Sequence, residues 1–456
     1  MASSHLFLQD NSTSSIRDAG GDESSIRNLS LIDGKTLEDL ENDGVLLFPP
    51  SVVETGYSSD SGPLISLGIP YGETSPDRIT VTTGNLMGFI SAGNTSVSIT
   101  SRFTRNRDED YFLQYMLSRI YRISLVGYLH SFSSSYSFFD IYPLLFAGLL
   151  KKAMKKGIYR SYVRREYNSS SPRGVVDVKR HIRENTPFLG KVAYTVREYT
   201  YDNSVTELIR HTVEYIERST PYKGVLSIDS ETEDYVRKIR ECTSSYTRNG
   251  RLSVMNENRR RISHPYYMEY EPLRKLCLMI LRHERISYNS DGEGRIYGIV
   301  FDGAWLWEEY LAAVLEDYST GYTHSSNIKG TGGLNVYSGC TLYPDFYKVK
   351  GRSPDDVEYN RVLDAKYKRA GSFDRTDLFQ LVTYMHILPS IRGALIKPVE
   401  SDTTEAVTTK QHELHGFGGR IAVITFPVPQ NTAAAEDFSD YMRKVERSLA
   451  RVIEAF

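Results

Sequence analysis

The spacing of apolar residues predicts a chain in which strand-rich and helical segments alternate. Between residues 44 and 103, short apolar runs (VLLF, RITV, LMGFI and VSIT) are separated by clusters of Gly, Asn, Pro and Ser, which is typical of a small β-rich module. Helical spacing follows over residues 108–121 and 138–156, where Gly157 is suited to end the second helix. Residues 1–30 show little apolar periodicity, so we expect a flexible N-terminus.

The middle of the chain mixes strand-like and helical patterns. The segments SYVRREY, RGVVDVKRHI and KVAYTVREYTY are strand-like, and Asp202 is placed to cap a helix over residues 205–216. Further helices are predicted near residues 231–242 and 272–283, before the Gly-containing stretch SDGEGRIYG. We therefore predict an α/β (α+β) protein with a flexible N-terminus (1–30), a β-rich module (31–105), a mostly helical middle region with a basic hairpin (106–290) and a C-terminal domain (291–456).

The C-terminal domain shows an ordered set of elements. The segment FDGAWLWEEYLAAVLEDY has the spacing of an amphipathic helix, with Glu308 or Glu309 near its first turn. Two strands are predicted next, LYPDFYKV and NRVLDAKYKR, and the polar segment KGRSPDD is a natural hairpin connection between them. A further helix, RTDLFQLVTYMHIL, places Gln380 and Tyr384 four residues apart on one face.

This set brings together groups suited to phosphodiester hydrolysis. Side chains alternate along a strand, so Asp364 and Lys366 point to one face, and the hairpin lets Asp345 approach the same face. Two carboxylates hold a hard cation such as Mg²⁺, and an amine beside them can orient an attacking water. Gln380 and Tyr384 are candidates for gripping the substrate backbone. An isolated Asp-x-Lys is weak evidence, since a solvated strand edge has the same pattern, but the ordered set strengthens it.

The ordered set resembles the PD-(D/E)XK nuclease superfamily in the variant with a QxxxY helix, over roughly residues 300 to 396. By this resemblance, Glu308 matches the acidic residue of the first helix, with Glu309 as a possible substitute, Asp345 matches the Pro-Asp motif, and Asp364 with Lys366 matches the third motif. The resemblance implies a mixed sheet flanked by helices, and DNA cleavage with Mg²⁺ or Mn²⁺. Its expected catalytic residues are Glu308, Asp345, Asp364, Lys366, Gln380 and Tyr384, of which Glu308, Asp345 and Asp364 would hold the metal.

A second resemblance covers more of the chain. The segments KKGIYRSYVRREYNSSSPRGVVDVKRHIREN, REYTYDNSVTELIRHTVEYI, FDGAWLWEEYL and VLDAKYK are similar to McrC, the nuclease subunit of McrBC-type modification-dependent restriction systems. This resemblance implies a role in anti-phage defence and a hexameric AAA+ partner like McrB, which hydrolyses GTP or ATP and translocates DNA. The chain has no GxxxxGK[ST] phosphate loop, so a nucleotide-driven step would come from that partner.

A basic cluster lies within the McrC-like segments. Residues 151–183 hold eleven Lys or Arg against two acidic residues, and tyrosines are interleaved with them. Phosphate neutralisation gives sequence-independent DNA affinity, so this cluster is a candidate DNA-binding surface, although a solvated charged face has the same composition. The candidate DNA-binding residues are Lys151, Lys152, Lys155, Lys156, Arg160, Arg164, Arg165 and Arg173.

Composition restricts the remaining classes. The formal net charge of −2 neither favours nor excludes a nucleic-acid partner. The three cysteines, Cys242, Cys277 and Cys340, lie far apart and lack zinc-like spacing, which argues against a disulfide framework. No apolar run has the length of a membrane span and the first residues lack a secretion signal, so we expect a cytoplasmic protein with no membrane partner.

Two alternatives to a motor-associated nuclease stay open at this point. The first is a regulatory adaptor of a motor with little cleavage of its own, although intact Asp345, Asp364 and Lys366 argue against it. The second is a stand-alone DNA repair or processing nuclease, because QxxxY variants also occur in such proteins. The McrC-like middle region favours the motor-associated nuclease.

Overall fold

The structure is a computed structural model, and the residues that it describes fall into two compact units. Described are residues 4–49, 63–105, 110–122, 141–218, 224–227, 229–288, 296–325, 332–350, 358–369, 374–402, 406–416, 418–432 and 434–456. One unit comprises Met1–Phe138 and Asp291–Phe456, and the other comprises Phe139–Ser290. Over these described ranges, no helix combines the length and the apolar character needed to cross a bilayer.

The first part of the chain is rich in short strands. Its strands are β1 (Ser4–Gln9), β2 (Thr13–Ser15), β3 (Val45–Phe48), β4 (Ile65–Gly68), β5 (Thr80–Thr83), β6 (Leu86–Ala92) and β7 (Thr95–Thr100). Its helices are α1 (Glu23–Leu29), α2 (Leu37–Asp43) and α3 (Tyr111–Tyr121). Asp22 and Thr36 cap α1 and α2 with capping boxes, which explains why helices as short as these begin where they do.

The second unit combines a small sheet with several helices. Its elements are α4 (Ile141–Met154), β8 (Ser161–Ser169), β9 (Val175–Val176), α5 (Val178–Glu184), β10 (Val192–Thr200), α6 (Ser204–Arg218), α7 (Ser230–Cys242), α8 (Arg251–Glu257) and α9 (Tyr270–Tyr288), with 3-10 turns at Val225–Ser227, Arg248–Gly250 and Pro265–Tyr267. The strand β10 pairs antiparallel with both β8 and β9. The apolar face of α6, which includes Leu208, Ile209 and Val213, is fully buried.

The last part of the chain carries the predicted site. Its strands are β11 (Ile296–Asp302), β12 (Thr323–His324), β13 (Leu334–Tyr337), β14 (Cys340–Leu342), β15 (Phe346–Lys348), β16 (Arg361–Ala365), β17 (Arg392–Ser401), β18 (Thr408–Glu413) and β19 (Arg420–Pro429). Its helices are α10 (Gly303–Asp317), α11 (Arg375–Ile387) and α12 (Ala435–Ala455). The first turn of α10 begins at Asp302, whose carboxylate accepts a hydrogen bond of 2.9 Å from the Trp305 amide.

A mixed six-stranded sheet holds the C-terminal strands in the order β12-β15-β16-β17-β19-β18. Its strands β16, β17 and β19 run parallel, β15 and β18 pair antiparallel with β16 and β19, and β12 pairs antiparallel with β15. The central strands are largely apolar, as expected for strands covered on both faces, and α11 packs against β16 and β17 while α12 packs against β19. The predicted α+β class is therefore confirmed.

The N-terminal sheet changes the predicted domain organisation. It has five strands in the order β1-β7-β6-β11-β3, so β11 from the C-terminal part lies between two N-terminal strands. Residues 31–105 are thus not a separate module, because β11 hydrogen-bonds to both β3 and β6. The expectation of a flexible segment over residues 1–30 is also wrong, because β1 pairs with β7 and Leu6 and Leu29 are fully buried.

One secondary-structure prediction in the middle region is wrong as well. The segment RGVVDVKRHI was expected to be a strand, but only Val175–Val176 is extended and Val178–Glu184 forms α5. The side chain of Asp177 caps this helix by accepting a hydrogen bond from the Arg180 amide, so the acidic residue inside the apolar run marks a helix start.

Gly298 provides a test of the way β11 enters the N-terminal sheet. A Cβ at this position would lie 2.3 Å from the carbonyl oxygen of Phe89 and 2.8 Å from the Cα of Ile90 on β6. Because backbone atoms cannot rotate away, we expect Gly298→Ala to lower the free energy of unfolding by about 1–3 kcal/mol. Urea unfolding followed by circular dichroism measures this loss. An unchanged midpoint would contradict the close pairing of β11 with β6.

Candidate functional site

The carboxylates and the amine that were predicted to be catalytic lie at the ends of two neighbouring strands. Strands β15 and β16 pair antiparallel with Phe346 opposite Leu363, so the next step of the register brings Asp345 opposite Asp364. Asp364 is fully buried, and Lys366 follows it two positions later on the same face. The Lys366 Nζ lies 2.7 Å from Asp364 Oδ2, and the Lys366 side chain is only 16% exposed. The register of the sheet therefore brings these three side chains together.

Asp345 and Glu308 approach this pair from two other elements. The Asp345 Oδ2 accepts a hydrogen bond of 2.7 Å from the Ala365 amide, which fixes its carboxylate against the end of β16. Glu308, on α10, lies 3.8 Å from His324 Nε2, and Glu309 lies 3.7 Å from the same atom. The His324 Nδ1 is 3.0 Å from the Asp345 carbonyl oxygen, which only accepts, so we assign the imidazole proton to Nδ1.

The choice between Glu308 and Glu309 follows from their surroundings. The pKa of Glu308 is raised well above its usual value by burial and by the negative charges of Asp345, Glu309 and Asp364, so Glu308 faces the other carboxylates. Glu309 instead lines a cavity of about 590 Å³ behind α10, together with Tyr322 and His324. Glu308 is the better candidate for the acidic residue of the first helix.

The helix α11 holds the amine from the other side. The Lys366 Nζ donates a hydrogen bond of 2.9 Å to Gln380 Oε1, and Gln380 Nε2 donates one of 2.9 Å to the Tyr384 hydroxyl. The Tyr384 hydroxyl in turn donates to the Tyr343 carbonyl at 3.3 Å. Gln380 and Tyr384 were expected to grip the substrate backbone. In the structure they form a hydrogen-bonded chain that ends on Lys366, and their contact with a substrate stays a prediction.

The site holds more negative charge than Lys366 alone balances. Burial and the neighbouring Asp345 raise the pKa of Asp364 to about 7, even though Lys366 opposes this shift. Burial also raises the pKa of Asp345, while the charge of Lys366 opposes it. Burial alone would lower the pKa of Lys366, but the charges of Asp364 and Asp345 raise it overall, so this amine stays protonated. A cation bound at these carboxylates would relieve the imbalance.

The donor set fits a hard divalent cation. The buried Asp364 carboxylate has Lys366 Nζ 2.7 Å from its Oδ2 as its close cationic neighbour. Asp345 and Asp364 offer carboxylate oxygens, the ligands that Mg²⁺ prefers, with Glu308 nearby. Within the described residues, no three His, Cys, Asp or Glu side chains already converge on one point. Mg²⁺ keeps several of its waters and is usually bound through one or two protein carboxylates, so Asp345 and Asp364 would be enough to hold it.

The basic cluster of the second unit is largely paired internally. Lys151 is buried and lies 2.7 Å from Asp229, so its prediction as a DNA contact is wrong. Lys152 lies 3.6 Å from Glu269, and Arg165 lies 2.8 Å from Asp202. The Arg160 guanidinium stacks on two tyrosine rings, Tyr199 and Tyr201, at 4.7 and 4.4 Å. The predicted residues that remain exposed without such contacts are Lys155, Lys156, Arg164 and Arg173.

Sequence reasoning missed three further side chains at the site. His324 lies on a strand of two residues that has no clear hydrophobic pattern. Asp377 lies three residues before Gln380, so the helical spacing that revealed Gln380 and Tyr384 would also have revealed it. Lys397 follows the long apolar run of β17, where its burial beside Asp377 depends on tertiary structure alone.

The fold and the site define a mixed-sheet α+β protein that gathers an Asp, an Asp-x-Lys and a Gln-x-x-x-Tyr at one face of its sheet. A comparison with protein families matches residues 81–398 to the McrBC 5-methylcytosine restriction system component family. This match spans more than half of the chain, and the protein belongs to that family. The predicted McrC-like resemblance is thus confirmed. A comparison with curated proteins found no match.

A solved structure shows a related fold. A chain of the refined half-complex from a tetradecameric assembly of Thermococcus gammatolerans McrB AAA+ hexamers with bound McrC has a TM-score of 0.53 and 16% sequence identity. The similarity covers 98% of this chain and 100% of that one. A chain of the cryo-EM structure of the Thermococcus gammatolerans McrBC complex has a TM-score of 0.35 and 15% identity, covering 70% of this chain and 89% of that one.

The raised pKa of Asp364 predicts a change of stability with pH. Without metal, the folded protein binds a proton at Asp364 below pH about 7, whereas the unfolded chain binds it only near the ordinary aspartate pKa of 3.8. Wild type should therefore gain stability relative to Asp364→Asn as the pH falls from 7 towards 4, by up to about 1.4 kcal/mol per pH unit. Denaturant unfolding of both proteins in a chelator at pH 8 and 5.5 measures this gain. A constant difference would contradict the assignment.

Proposed function

We propose that this protein is the nuclease subunit of an McrBC-like restriction complex and cleaves DNA by Mg²⁺-dependent phosphodiester hydrolysis. The observation that carries this proposal is the arrangement of Asp345, Asp364 and Lys366 at the ends of two adjacent strands, where Lys366 Nζ lies 2.7 Å from Asp364 Oδ2. Buried carboxylates with raised pKa values cluster at functional sites, which supports this proposal. Membership of a restriction system family supports the choice of DNA as the substrate.

Each residue has a definite part in this chemistry. Asp345 and Asp364 would hold the cation, with Glu308 contributing from α10. The bound Mg²⁺ would polarise the phosphoryl oxygen and lower the pKa of the attacking water. Lys366 carries a positive charge and is directed by Gln380, so it can orient the water or offset the charge that develops on the phosphate. Tyr384 fixes the orientation of the Gln380 amide.

The same proposal includes an AAA+ partner. The chain has no GxxxxGK[ST] motif, so hydrolysis of GTP or ATP and the movement of DNA must be supplied by another protein. The most informative structural neighbour is described as McrC bound to McrB AAA+ hexamers, and an equivalent hexamer is the partner proposed for this chain, which in turn stimulates the motor. A pure adaptor role would not require Lys366 to be positioned by Gln380.

The nuclease assignment predicts a large loss of cleavage in two variants. Asp364→Ala removes a metal ligand, and Lys366→Ala removes the amine that Gln380 positions. We expect each to lower the cleavage rate by at least about 100-fold in the presence of the motor, while motor binding is retained. Plasmid cleavage with Mg²⁺ and nucleotide measures the rate, and Lys410→Ala, on the exposed strand β18, is the control. Cleavage at the wild-type rate in either variant would exclude this site.

The exposed basic residues make a separate prediction about DNA affinity. Replacing Lys155, Lys156, Arg164 and Arg173 by Ala should weaken binding to all DNA sequences alike. The slope of log affinity against log salt should fall by about 0.9 for each phosphate contact that is lost. Fluorescence anisotropy at salt concentrations from about 50 to 200 mM measures the DNA affinity and hence this slope. An unchanged slope would indicate that these residues are solvated and do not contact DNA phosphates.

A further inference from the structure

The helix α11 directs a third polar side chain towards the catalytic strand. Asp377 lies on the same face as Gln380, one turn earlier, and its side chain is only 4% exposed. Its Oδ1 accepts a hydrogen bond of 2.9 Å from Lys368 Nζ, just as Gln380 accepts one from Lys366. Gln380 thus contacts Lys366, and Asp377 contacts Lys368, which comes two residues later in the chain.

The second partner of Asp377 is a buried amine on the neighbouring strand. Lys397 Nζ lies 3.6 Å from Asp377 Oδ2, and the Lys397 side chain is 3% exposed. Of the carboxylates in the described part of the chain, Asp377 alone lies within 4.0 Å of this amine. A buried ammonium without a partner is strongly unfavourable, so the position of Lys397 depends on Asp377.

The register of the sheet brings Lys397 beside the catalytic pair. Strands β16 and β17 are parallel with Asp364 opposite Leu395, and the Lys366 amide donates to the Ile396 carbonyl at 3.0 Å. Lys397 therefore lies across from Lys366 and points to the same face. Asp364 lies two residues before Lys366 on this face, so it is a diagonal neighbour of Lys397, at a separation of about 7–8 Å that long side chains can span. An amine released from Asp377 would therefore be able to turn towards the Asp364 carboxylate, which already has Lys366 Nζ 2.7 Å from its Oδ2.

We propose that Asp377 keeps Lys397 away from Asp364, so that the metal-binding carboxylates stay open to a divalent cation. Asp377 is thus a positioning residue that acts on the site through Lys397, and it also holds Lys368. The inference rests on the proposed function, because that function identifies Asp345 and Asp364 as the residues that hold the cation. Without Asp377, the ammonium of Lys397 and the divalent cation would compete for the same oxygens.

The variant Asp377→Asn tests this competition, since it removes the charge and keeps the shape. We expect the purified, metal-free variant to bind Mg²⁺ and Mn²⁺ about 10-fold or more weakly in calorimetric titrations without DNA, a loss typical of changes behind metal ligands. DNA cleavage should fall at low Mg²⁺ and recover at high Mg²⁺, because mass action overcomes a competing amine. A purely structural defect would lower cleavage at every Mg²⁺ concentration.

Two further variants give the controls. Asp374→Asn removes the exposed carboxylate that lies 3.4 Å from the same Lys368, and Asn still caps α11, so metal affinity should be unchanged. The double variant Asp377→Asn/Lys397→Gln has no competing amine and should regain the metal affinity of Lys397→Gln alone, which we expect to match wild type. This pair carries the test if Asp377→Asn does not fold.

The outcomes separate the inference from the proposed function. Unchanged metal affinity in Asp377→Asn, or a double variant that binds metal more weakly than Lys397→Gln, would overturn the role of Asp377. If wild type itself binds neither Mg²⁺ nor Mn²⁺ and cuts no DNA, the proposed function is wrong, and the role of Asp377 is wrong with it. If wild type binds the metal and Asp377→Asn equals it, only the role of Asp377 fails.

Discussion

The burial of several carboxylates around a single protonated amine is the constraint on which the C-terminal part of the fold depends. Asp364 has no solvent exposure. The charge of Asp345 raises the pKa of Asp364, and the charge of Asp364 raises the pKa of Glu308. Burial of unbalanced charge costs several kcal/mol, so such an arrangement persists only where the surrounding structure fixes it. Here the ladder from β15 to β17 fixes the backbone, and α11 fixes the amine through Gln380. The remaining negative charge makes the site a good host for a cation.

The N-terminal sheet contacts the segment after β16 directly, although more than two hundred residues separate them in the chain. Tyr367, next to Lys366, is buried and shares a hydrogen bond of 2.6 Å with Ser101 at the end of β7. The adjacent Arg102 is buried with Asp10, at the end of β1, and its guanidinium lies 5.0 Å from the centre of the Tyr367 ring. Strand β11 completes the same sheet and leads straight into α10. The N-terminal strands and the site are therefore parts of one folded unit.

Local pattern was enough to predict the elements that carry the site, but not the way they are assembled. The helix with Glu308, the hairpin that brings Asp345 to Asp364 and the helix with Gln380 and Tyr384 each depend on short-range periodicity and turn residues. The pairing of β11 with β3 and β6 joins distant segments and leaves no local signal. Likewise, charge counts cannot show that Lys151 is buried against Asp229. Lys397 was missed for the same reason, because a lysine at the end of an apolar run is ordinarily exposed.

Under the proposed function, the chemistry of the site also means that the site itself cannot select a DNA sequence or a modified base. Its groups are carboxylates for a cation and an amine for the phosphate, and contacts to phosphate position a protein on DNA without distinguishing sequences. Lys366 is held by Asp364 and Gln380, so its hydrogen-bonding capacity is directed within the site and not towards base edges. The exposed lysines and arginines of the second unit would add affinity of the same unselective kind. Recognition of a modified base must therefore reside in other surfaces of this chain or in the motor that delivers the DNA.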